Sequence, residues 1–418
     1  MKPSPVALAR VQAGSTEPVA LVPAVAKTDT EMQKLVEDDD PHVAALCAAR
    51  LGKKSTDQSL RRLETMRCIA GVMHGRIPVQ LEYYGARTGR WSGSGGLNFQ
   101  NFGRTGWGLK IRSLLVPAPG HVLVIGDLAQ IEARITAKLA QQKDLLEAFA
   151  QGRDIYSEFA SAIFHREVRK AKPEDPPDLA KLMSAYRQVG KQAILGLGYG
   201  LGAYKFLGVM RSDPTAKQFF TELETAAKLC YQIVQLYRKT YSHIPELWKK
   251  LEDFFKRAVK GEVFKGKVQL QKIKSGLRDT SFLRAQLPSG RALYYPKPRL
   301  EEKNKAIKYL DQSGDIAEFT PIDKTIVYGK GTTLYGGKIT ENLVQAIARD
   351  VLAEAILRLE ALGRRVVMHV HDEVIIQVPE AEAEAALADV KRELSRTPEW
   401  AEGLPVACEA GIARRYGK

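Results

Sequence analysis

Cysteine is scarce in this sequence, and long apolar runs are absent. The 418 residues contain four scattered cysteines, Cys47, Cys68, Cys230 and Cys408, which form no CxxC pair and no metal-finger spacing. This usage fits a reducing compartment and argues against a disulfide framework, so we expect an intracellular protein. No stretch approaches the ~18 apolar residues that a membrane-spanning helix needs, which excludes a transmembrane role.

The N-terminal region lacks the apolar core of a signal peptide. The segment Ala24-Val25-Ala26 resembles a cleavage site, but the apolar run before it, Val19 to Val22, is short and is followed by Pro23. We therefore predict that residues 1–28 form a flexible tail.

Acidic residues are outnumbered by basic ones. There are 63 Lys and Arg against 48 Asp and Glu, a formal net charge of +15. Such a charge predicts a polyanionic partner, with nucleic acid first and an anionic membrane surface second. Ten of the basic residues lie between Lys249 and Arg278, against three acids. This segment predicts either an electropositive face or an ordinary solvated helix surface.

Hydrophobic periodicity predicts a chain of mixed helices and strands. Residues 30–70 predict short packed helices, broken by the acidic turn Glu37 to Pro41 and by Gly52. Residues 141–260 predict consecutive helices with one Pro-rich interruption, and residues 340–362 predict a long amphipathic helix.

Two apolar strands are expected to end in acidic residues. The run Val122 to Ile125 is followed by Gly126-Asp127 and then by the helical pattern IEARITAKLA. Residues 366–379 predict a hairpin with Asp372 at its tip, and residues 287–295 predict another with a Ser-Gly turn.

Asp127 and Asp372 could meet if their strands share a sheet. Two carboxylates at a sheet edge would form a strong Mg²⁺ site, because this ion prefers carboxylate oxygens, waters and phosphates as ligands. Two such ions could assist a phosphoryl displacement. Taken singly, each aspartate is better explained as a residue that caps a turn, since acidic residues are common in turns.

A third segment contains four side chains that recur every fourth residue. Arg187, Lys191, Leu195 and Tyr199 lie along one slowly drifting helix face, with a rise of ~6 Å per step. Two cations followed by an apolar and an aromatic residue match a nucleoside triphosphate laid along the helix. The alternative is a pair of surface cations beside a core stripe.

Four glycines in and after this segment weaken that alternative. They destabilise a helix by ~1 kcal/mol each relative to alanine. We expect them to allow close approach of another backbone or of a base pair. They are Gly196, Gly198, Gly200 and Gly202.

These segments together resemble the DNA polymerases of family A. Three segments are similar to motifs A, B and C of that family, in the same order. They are DLAQIEAR (127–134), RQVGKQAILGLGYG (187–200) and HDE (371–373). TGR (88–90), NFQN (98–101) and a helix with Gln345 add to the match. The resemblance covers roughly residues 40–418.

The resemblance implies an α+β, right-hand polymerase fold, with an antiparallel-sheet palm, helical fingers and a truncated helical thumb. It places partial thumb helices at residues 29–75 and the two parts of the palm at 76–140 and 340–418. The fingers and connecting hairpins occupy 141–339.

The resemblance also implies a role for each matched residue. Asp127, Asp372 and the backbone carbonyl of Leu128 would hold two Mg²⁺ ions, for which Mn²⁺ could substitute. Lys191 would donate a proton to the leaving pyrophosphate, and Glu373 would be an outer-shell acid. The residues implied for nucleotide binding are Arg187, Lys191, Leu195, Tyr199, Gln130, Glu132 and Tyr156. Those implied for DNA binding are Arg90, Asn98, Gln100, Arg134, Gln345 and His371.

Three positions depart from the family's usual pattern. Leu195 stands where many relatives have Phe or Tyr, Tyr156 replaces a frequent His, and Glu341 replaces a frequent Asn. None of these changes removes a metal ligand, so we expect catalysis with altered selectivity.

We therefore expect a template-directed DNA polymerase in the cytoplasm of a bacterial or phage-infected cell, with primer-template DNA and deoxynucleoside triphosphates as partners. We expect no membrane partner and no proofreading in this chain. An exonuclease, a helicase or other replication proteins could assist it. A non-catalytic DNA-binding subunit, a fragment of a split polymerase needing a partner chain, and a metal-dependent nuclease remain alternatives.

Overall fold

The computed structural model describes most of the chain. The described residues are 2–3, 21–22, 32, 35–36, 40–103, 106–275, 280–302, 306–320 and 323–417, without the side chains of residues 2–3, 21–22 and 54–55. Apart from two short strands, the predicted tail at 1–28 lies outside them. They divide into two compact units, residues 1–77 with 105–111 and residues 78–104 with 112–418.

The first unit is dominated by one long helix, α1 (Pro41–Val72). Asp40 caps it by accepting a hydrogen bond from the backbone N–H of His42 at 2.8 Å, and Pro41 occupies the first turn. The prediction of short helices broken at Gly52 was wrong. A single interior glycine costs only ~1 kcal/mol, and the alanines and long side chains around it favour the helix. The unit also contains the strand pair β1 (Lys2–Pro3) and β2 (Leu21–Val22), and most of the short helix α2 (Gly106–Arg112).

The second unit is built on a four-stranded antiparallel sheet, the central sheet. Its strand order is β14, β15, β5, β16. The strands are β5 (His121–Leu128), β14 (Val366–Val370), β15 (Glu373–Pro379) and β16 (Cys408–Ala413). The middle residues of β5 are buried, as its Val-Leu-Val-Ile run requires. Helix α10 (Gly336–Ala361) contacts β14 and β15, and α11 (Ala383–Ser395) contacts β5 and β16.

A helical lobe with its own hydrophobic core follows β5. Its helices are α3 (Ile131–Ala140), α4 (Lys143–Ala150), α5 (Ile155–Phe164), α6 (Pro177–Leu197), α7 (Ala203–Ser212), α8 (Leu223–Thr240) and α9 (His243–Val259). The expectation of consecutive helices is met. The Pro-rich segment is one of several breaks, and left-handed backbone at Gln141 and His165 ends two of the helices.

Short antiparallel strands lie between α9 and α10. The first group is β6 (Gln269–Lys274), β7 (Ser281–Gln286) and β8 (Ala292–Pro296). The second is β9 (Arg299–Glu301), β12 (Thr325–Tyr328) and β13 (Thr332–Leu334). A separate hairpin consists of β10 (Ile307–Leu310) and β11 (Ile316–Phe319). The predicted Ser-Gly turn joins β7 to β8.

Two further short strands, β3 (Leu81–Glu82) and β4 (Ser92–Gly93), pair near the start of this unit. In the part of the chain that the structure describes, no helix combines the length and the apolar character needed to cross a membrane.

Candidate active site

Strand pairing brings Asp127 and Asp372 together at one end of the central sheet. β5 and β15 are antiparallel neighbours, and Asp127 lies opposite Glu373 in their register. The backbone N–H of Leu128 donates to the carbonyl oxygen of Asp372 at 3.0 Å. The residues that carry the two carboxylates are therefore neighbours across a fixed main-chain contact, which the strand patterns allowed and the family resemblance implied.

The turns around these aspartates are sharp. His371, immediately before Asp372, has φ +54°, and Gln130, three residues after Asp127, has φ +53°. Left-handed backbone at residues other than glycine costs free energy and is common at functional sites. The side-chain oxygen of Gln130 is buried without a hydrogen-bond partner. Both turns meet at the same sheet edge.

An ion-paired chain of side chains links Asp372 to the predicted nucleotide face. One nitrogen of Arg90, Nη2, lies 2.5 Å from Glu132 Oε1 and 3.2 Å from Asp372 Oδ1. The hydroxyl of Tyr199 donates to Glu132 Oε2 at 2.8 Å. We call these four residues the Arg90 network. It joins residues from all three predicted motifs and from the TGR segment.

The contacts of the Arg90 network shift the pKa of Arg90 and of Tyr199. Burial would lower the pKa of Arg90, but Asp372 and Glu132 outweigh it and raise the pKa. Burial raises the pKa of Tyr199, and the Glu132 carboxylate raises it further. Arg90 therefore stays charged, and Tyr199 stays a neutral hydrogen-bond donor.

The cations of the α6 face differ in how they are held. Arg187 donates from Nε to Asp154 Oδ2 at 2.8 Å and from Nη2 to Asp154 Oδ1 at 3.0 Å. Its guanidinium also lies 5.2 Å from the ring centroid of Tyr156, which is buried. Burial would raise the pKa of Asp154, but hydrogen bonds from Arg187 and Ser157 lower it overall. Lys191 is exposed and makes no ion pair within the described residues.

Leu195 and Tyr199 continue this face toward the end of α6. Both are half-buried and line one narrow cleft. The helix ends at Leu197, and Gly200 adopts φ +77° in the turn that follows. A side chain on Gly337 would come within 2.0 Å of the carbonyl oxygen of Tyr199. Close backbone packing therefore fixes the position of Tyr199.

The glycine prediction holds in part. Gly200 lies beside the backbone of Gly337, but Gly202 faces open space. The tightest glycine on α6 is one that the sequence interpretation did not single out. A Cβ on Gly190 would lie 2.1 Å from the carbonyl oxygen of Tyr156. Gly190 thus lets α6 pack directly on α5.

The NFQN segment meets the tip of the hairpin. Gln100 Oε1 accepts from the backbone N–H of His371 at 2.8 Å, and His371 Nε2 lies 2.8 Å from the carbonyl oxygen of Gln100. Asn98 accepts from the backbone N–H of Gln100 at 3.0 Å. These predicted DNA-binding residues therefore brace each other and the turn that carries Asp372.

One implied role does not fit the position of its side chain. Arg134 is 5% exposed and donates to the carbonyl oxygens of Ala129, Pro405 and Phe149. It cannot reach DNA from there, and its role is to join α3 to its surroundings. Gln345 is half-buried, and its Nε2 donates to Glu341 Oε1 at 3.5 Å. Its DNA contact stays a prediction.

Glu373 is almost fully buried behind the aspartates. The hydroxyl of Tyr416 donates to Glu373 Oε1 at 2.7 Å, and Arg112 Nη1 lies 4.0 Å from the same oxygen. This position is that of an acid held by protein side chains rather than by a ligand.

Sequence reasoning missed several residues at the site. Asp154, Tyr416 and Arg112 hold residues that it did predict, and Glu409 on β16 lies opposite Asp127. Arg349 packs between Trp91 and Tyr83, with its guanidinium 3.8 Å and 5.0 Å from their ring centroids. Since these contacts join distant segments, no local pattern in the sequence could reveal them.

The donor set fits hard divalent cations. Within the described residues, no group of three or more His, Cys, Asp or Glu is arranged to hold a metal ion. Asp127 and Asp372 alone would leave most coordination positions to waters and phosphates, which is the arrangement that Mg²⁺ prefers.

Comparisons with known proteins agree with this geometry. A family model, DNA polymerase family A, matches residues 22–283. The chain is 30% identical to the DNA polymerase of Bacillus phage SP02, over 82% of this chain and 53% of that protein. It is 25% identical to the thermostable DNA polymerase I of Thermus thermophilus, over 82% of this chain and 32% of that protein.

A solved structure shares the fold. The POL domain of Pol1 from M. smegmatis, in complex with DNA primer-template and dNTP, superposes with a TM-score of 0.61 and 21% identity. The match covers 96% of this chain and 57% of the other chain. The predicted α+β polymerase fold is confirmed, and this chain spans about half or less of the length of these curated relatives. The chain belongs to DNA polymerase family A.

Proposed function

We propose that this chain is a template-directed DNA polymerase. It adds a deoxynucleoside triphosphate to a primer 3′ end and releases pyrophosphate. The observation that carries the proposal is the main-chain contact between Leu128 and Asp372, which sets the two aspartates side by side. The Arg90 network then connects Asp372 to Tyr199, at the end of the face that carries Arg187 and Lys191.

The proposal includes two Mg²⁺ ions, for which Mn²⁺ could substitute. Asp127, Asp372 and the backbone carbonyl of Leu128 would hold them. When bound, such ions activate the primer hydroxyl and stabilise charge on the transferred phosphoryl group. Carboxylate pairs of this kind have no use in simple duplex binding, which needs cations.

The protein's own residues bind and orient the triphosphate. Arg187 exchanges its ion pair with Asp154 for a phosphate, with Tyr156 beneath its guanidinium. Lys191 needs no such exchange, and it protonates the leaving pyrophosphate. Leu195 packs on the sugar, and Tyr199 on the templating base pair.

Glu132 selects the sugar. Because Arg90 and Tyr199 hold its two oxygens, the carboxylate cannot turn away from a ribose 2′ hydroxyl. Excluded volume and an unsatisfied hydroxyl then disfavour ribonucleotides. Gln130 borders the same region.

DNA contacts are assigned to Arg90, Asn98, Gln100, Gln345 and His371, at the terminal base pair. We also propose a cytoplasmic setting in a bacterial or phage-infected cell. We further propose that this chain does not proofread, and that an exonuclease, a helicase or other replication proteins assist it.

Primer extension by the 418-residue chain tests the proposal. We expect extension with four deoxynucleotides and Mg²⁺, and a loss of about 10³-fold or more in Asp127→Asn and Asp372→Asn, since metal-bound charge stabilisation contributes several kcal/mol. Asp253→Asn, an exposed acid on α9, is the matched control and should extend normally. DNA binding should persist in all three variants.

Each alternative function predicts a different result in the primer-extension assay. Wild-type protein that binds DNA without extending it would indicate a non-catalytic subunit or a chain that needs a partner. Metal-dependent shortening of the primer would indicate a nuclease. Extension by the Asp127→Asn, Asp372→Asn double variant would refute the proposed centre.

A further inference from the structure

A cavity of about 540 Å³ lies between the β10–β11 hairpin and the helices α7 and α8. Its volume falls in the range of small-ligand sites. None of the residues assigned above lines it. The lining consists of Gly202, Ala203, Tyr231, Val234, Gln235, Arg238, Tyr309, Leu310, Asp311, Gln312 and Ser313.

The hairpin wall of this cavity is preformed. Leu310 is 3% exposed and belongs to the core of the helical lobe. In the turn, Gly314 (φ +87°) packs so closely that a Cβ there would meet Ala227 and Lys228 of α8 at 3.1–3.2 Å. The hairpin is therefore seated on α8, and the cavity does not have to form when a ligand arrives.

The polar groups suit a nucleotide. Arg238 is exposed, and it makes no ion pair or hydrogen bond in the described part of the chain. The single lining acid, Asp311, accepts hydrogen bonds from the backbone N–H groups of Ser313 and Asp315 at 2.9 and 3.0 Å.

The apolar groups suit a base. Tyr231 and Tyr309 both line the cavity, and Tyr309 is 42% exposed. Stacking on aromatic rings binds unpaired bases without regard to sequence, and an arginine beside them binds the phosphate. The amides of Gln235 and Gln312 can hydrogen-bond to base edges.

The cavity also lies within reach of DNA at the proposed active site. Only two residues lie between Tyr199 and Gly202 at the cavity wall, a backbone span of at most ~11 Å. A strand that leaves the templating position near Tyr199 therefore needs only a nucleotide or two to reach it.

We propose that this cavity binds an unpaired nucleotide of single-stranded DNA, with its base on Tyr231 and Tyr309 and its phosphate on Arg238. The inference rests on the proposed function for its DNA substrate. The template overhang and a displaced strand offer the same chemistry.

Fluorescence anisotropy with the full chain tests this. The DNAs are a blunt duplex, a duplex with a 5′ template overhang of about six nucleotides, and a duplex with an unpaired 5′ flap on the other strand. We expect Arg238→Gln and Tyr309→Ala to weaken binding of the overhang or flap DNA about tenfold, and to leave blunt-duplex binding unchanged.

Two controls separate the site from fold and net charge. Lys239→Gln removes a neighbouring charge outside the cavity and should bind all three DNAs like wild type. Tyr309→Phe keeps the ring and should also behave like wild type, whereas a merely destabilised hairpin would weaken blunt-duplex binding as well.

The strand that occupies the cavity is identified by the DNA whose binding weakens: the overhang DNA indicates the template strand, and the flap DNA indicates a displaced strand. The proposal would be overturned if Arg238→Gln and Tyr309→Ala weakened binding of all three DNAs equally, or if they weakened binding of none of them. Primer extension by the same proteins separates the two proposals. If wild type binds selectively but never extends a primer, the polymerase assignment fails and the cavity assignment stands.

Discussion

The central-sheet edge and the α6 face hold their functional residues by different means. Asp127 and Asp372 are positioned by strand register and by a backbone hydrogen bond between Leu128 and Asp372. Arg187 and Lys191 are positioned by helical spacing, and Arg187 is also held by its ion pair with Asp154. A ligand can replace Asp154 as the partner of Arg187, whereas Lys191 is exposed to solvent.

The difference matches what each region would have to do in the proposed reaction. Groups that fix reacting atoms gain from rigid placement, because small displacements are costly in rate. Groups that capture and release a charged ligand must exchange partners in each cycle. The Arg90 network lies between the two regions. It links Asp372 at the central sheet to Tyr199 at the end of the α6 face.

The largest expected effect on the α6 side comes from Lys191→Met. Loss of a positioned proton donor typically lowers the rate 10²–10⁴-fold, so we expect kcat for single-nucleotide addition to fall by about 10²-fold or more. Lys205→Met, on α7, is the control. Single-turnover kinetics measures the effect, and an unchanged kcat would remove Lys191 from proton transfer.

Glu132→Ala tests the link between the regions. Because the carboxylate is held from both sides, its removal should raise ribonucleotide incorporation about 10- to 100-fold relative to deoxynucleotides. Glu132→Gln keeps the volume and should retain most of the selectivity. The ratio of kcat/KM for the two sugars gives the answer, and no change in Glu132→Ala would exclude this role.

A pair of glycine substitutions compares packing with helix propensity. Gly190→Ala should destabilise the protein by about 1–3 kcal/mol, since the new Cβ meets the Tyr156 carbonyl oxygen. Gly208→Ala lies in α7 with open space around it and should stabilise by up to about 1 kcal/mol. Urea unfolding measures both. Equal shifts would contradict the packing of α6 on α5.

The smallest effect is expected for Asp154→Asn. It weakens the competitor that holds Arg187, so KM for the nucleotide should fall. The pair is partly exposed and contributes ~1 kcal/mol or less, which limits the change to about fivefold. Glu158→Gln, which frees Arg153 instead, is the control. A raised KM in Asp154→Asn would show that Asp154 positions Arg187 rather than competing for it.

Local patterns in the sequence identified much of the fold. The strand before Asp127, the hairpin with Asp372 and the run of helices between them all follow from periodicity and turn residues. The meeting of the two aspartates required the family resemblance, because strand pairing over more than 240 residues leaves no local trace.

Other features could not be predicted. Arg134 looks like any helical cation in sequence, and only the carbonyl oxygens around it reveal a structural role. Asp154 and Arg187 are 33 residues apart, so their ion pair is invisible to spacing rules. Helix α1 runs through Gly52 because favourable neighbours outweigh one weak residue.

The central claim is that Asp127 and Asp372 share divalent ions, and metal-directed cleavage tests it most directly. Fe²⁺ would replace Mg²⁺ in the presence of primer-template, ascorbate and peroxide, and mass spectrometry would locate the chain breaks. We expect breaks beside both residues 127 and 372, and the loss of both in either Asp→Asn variant. Breaks at one position only, or breaks that survive in both variants, would contradict a shared metal centre.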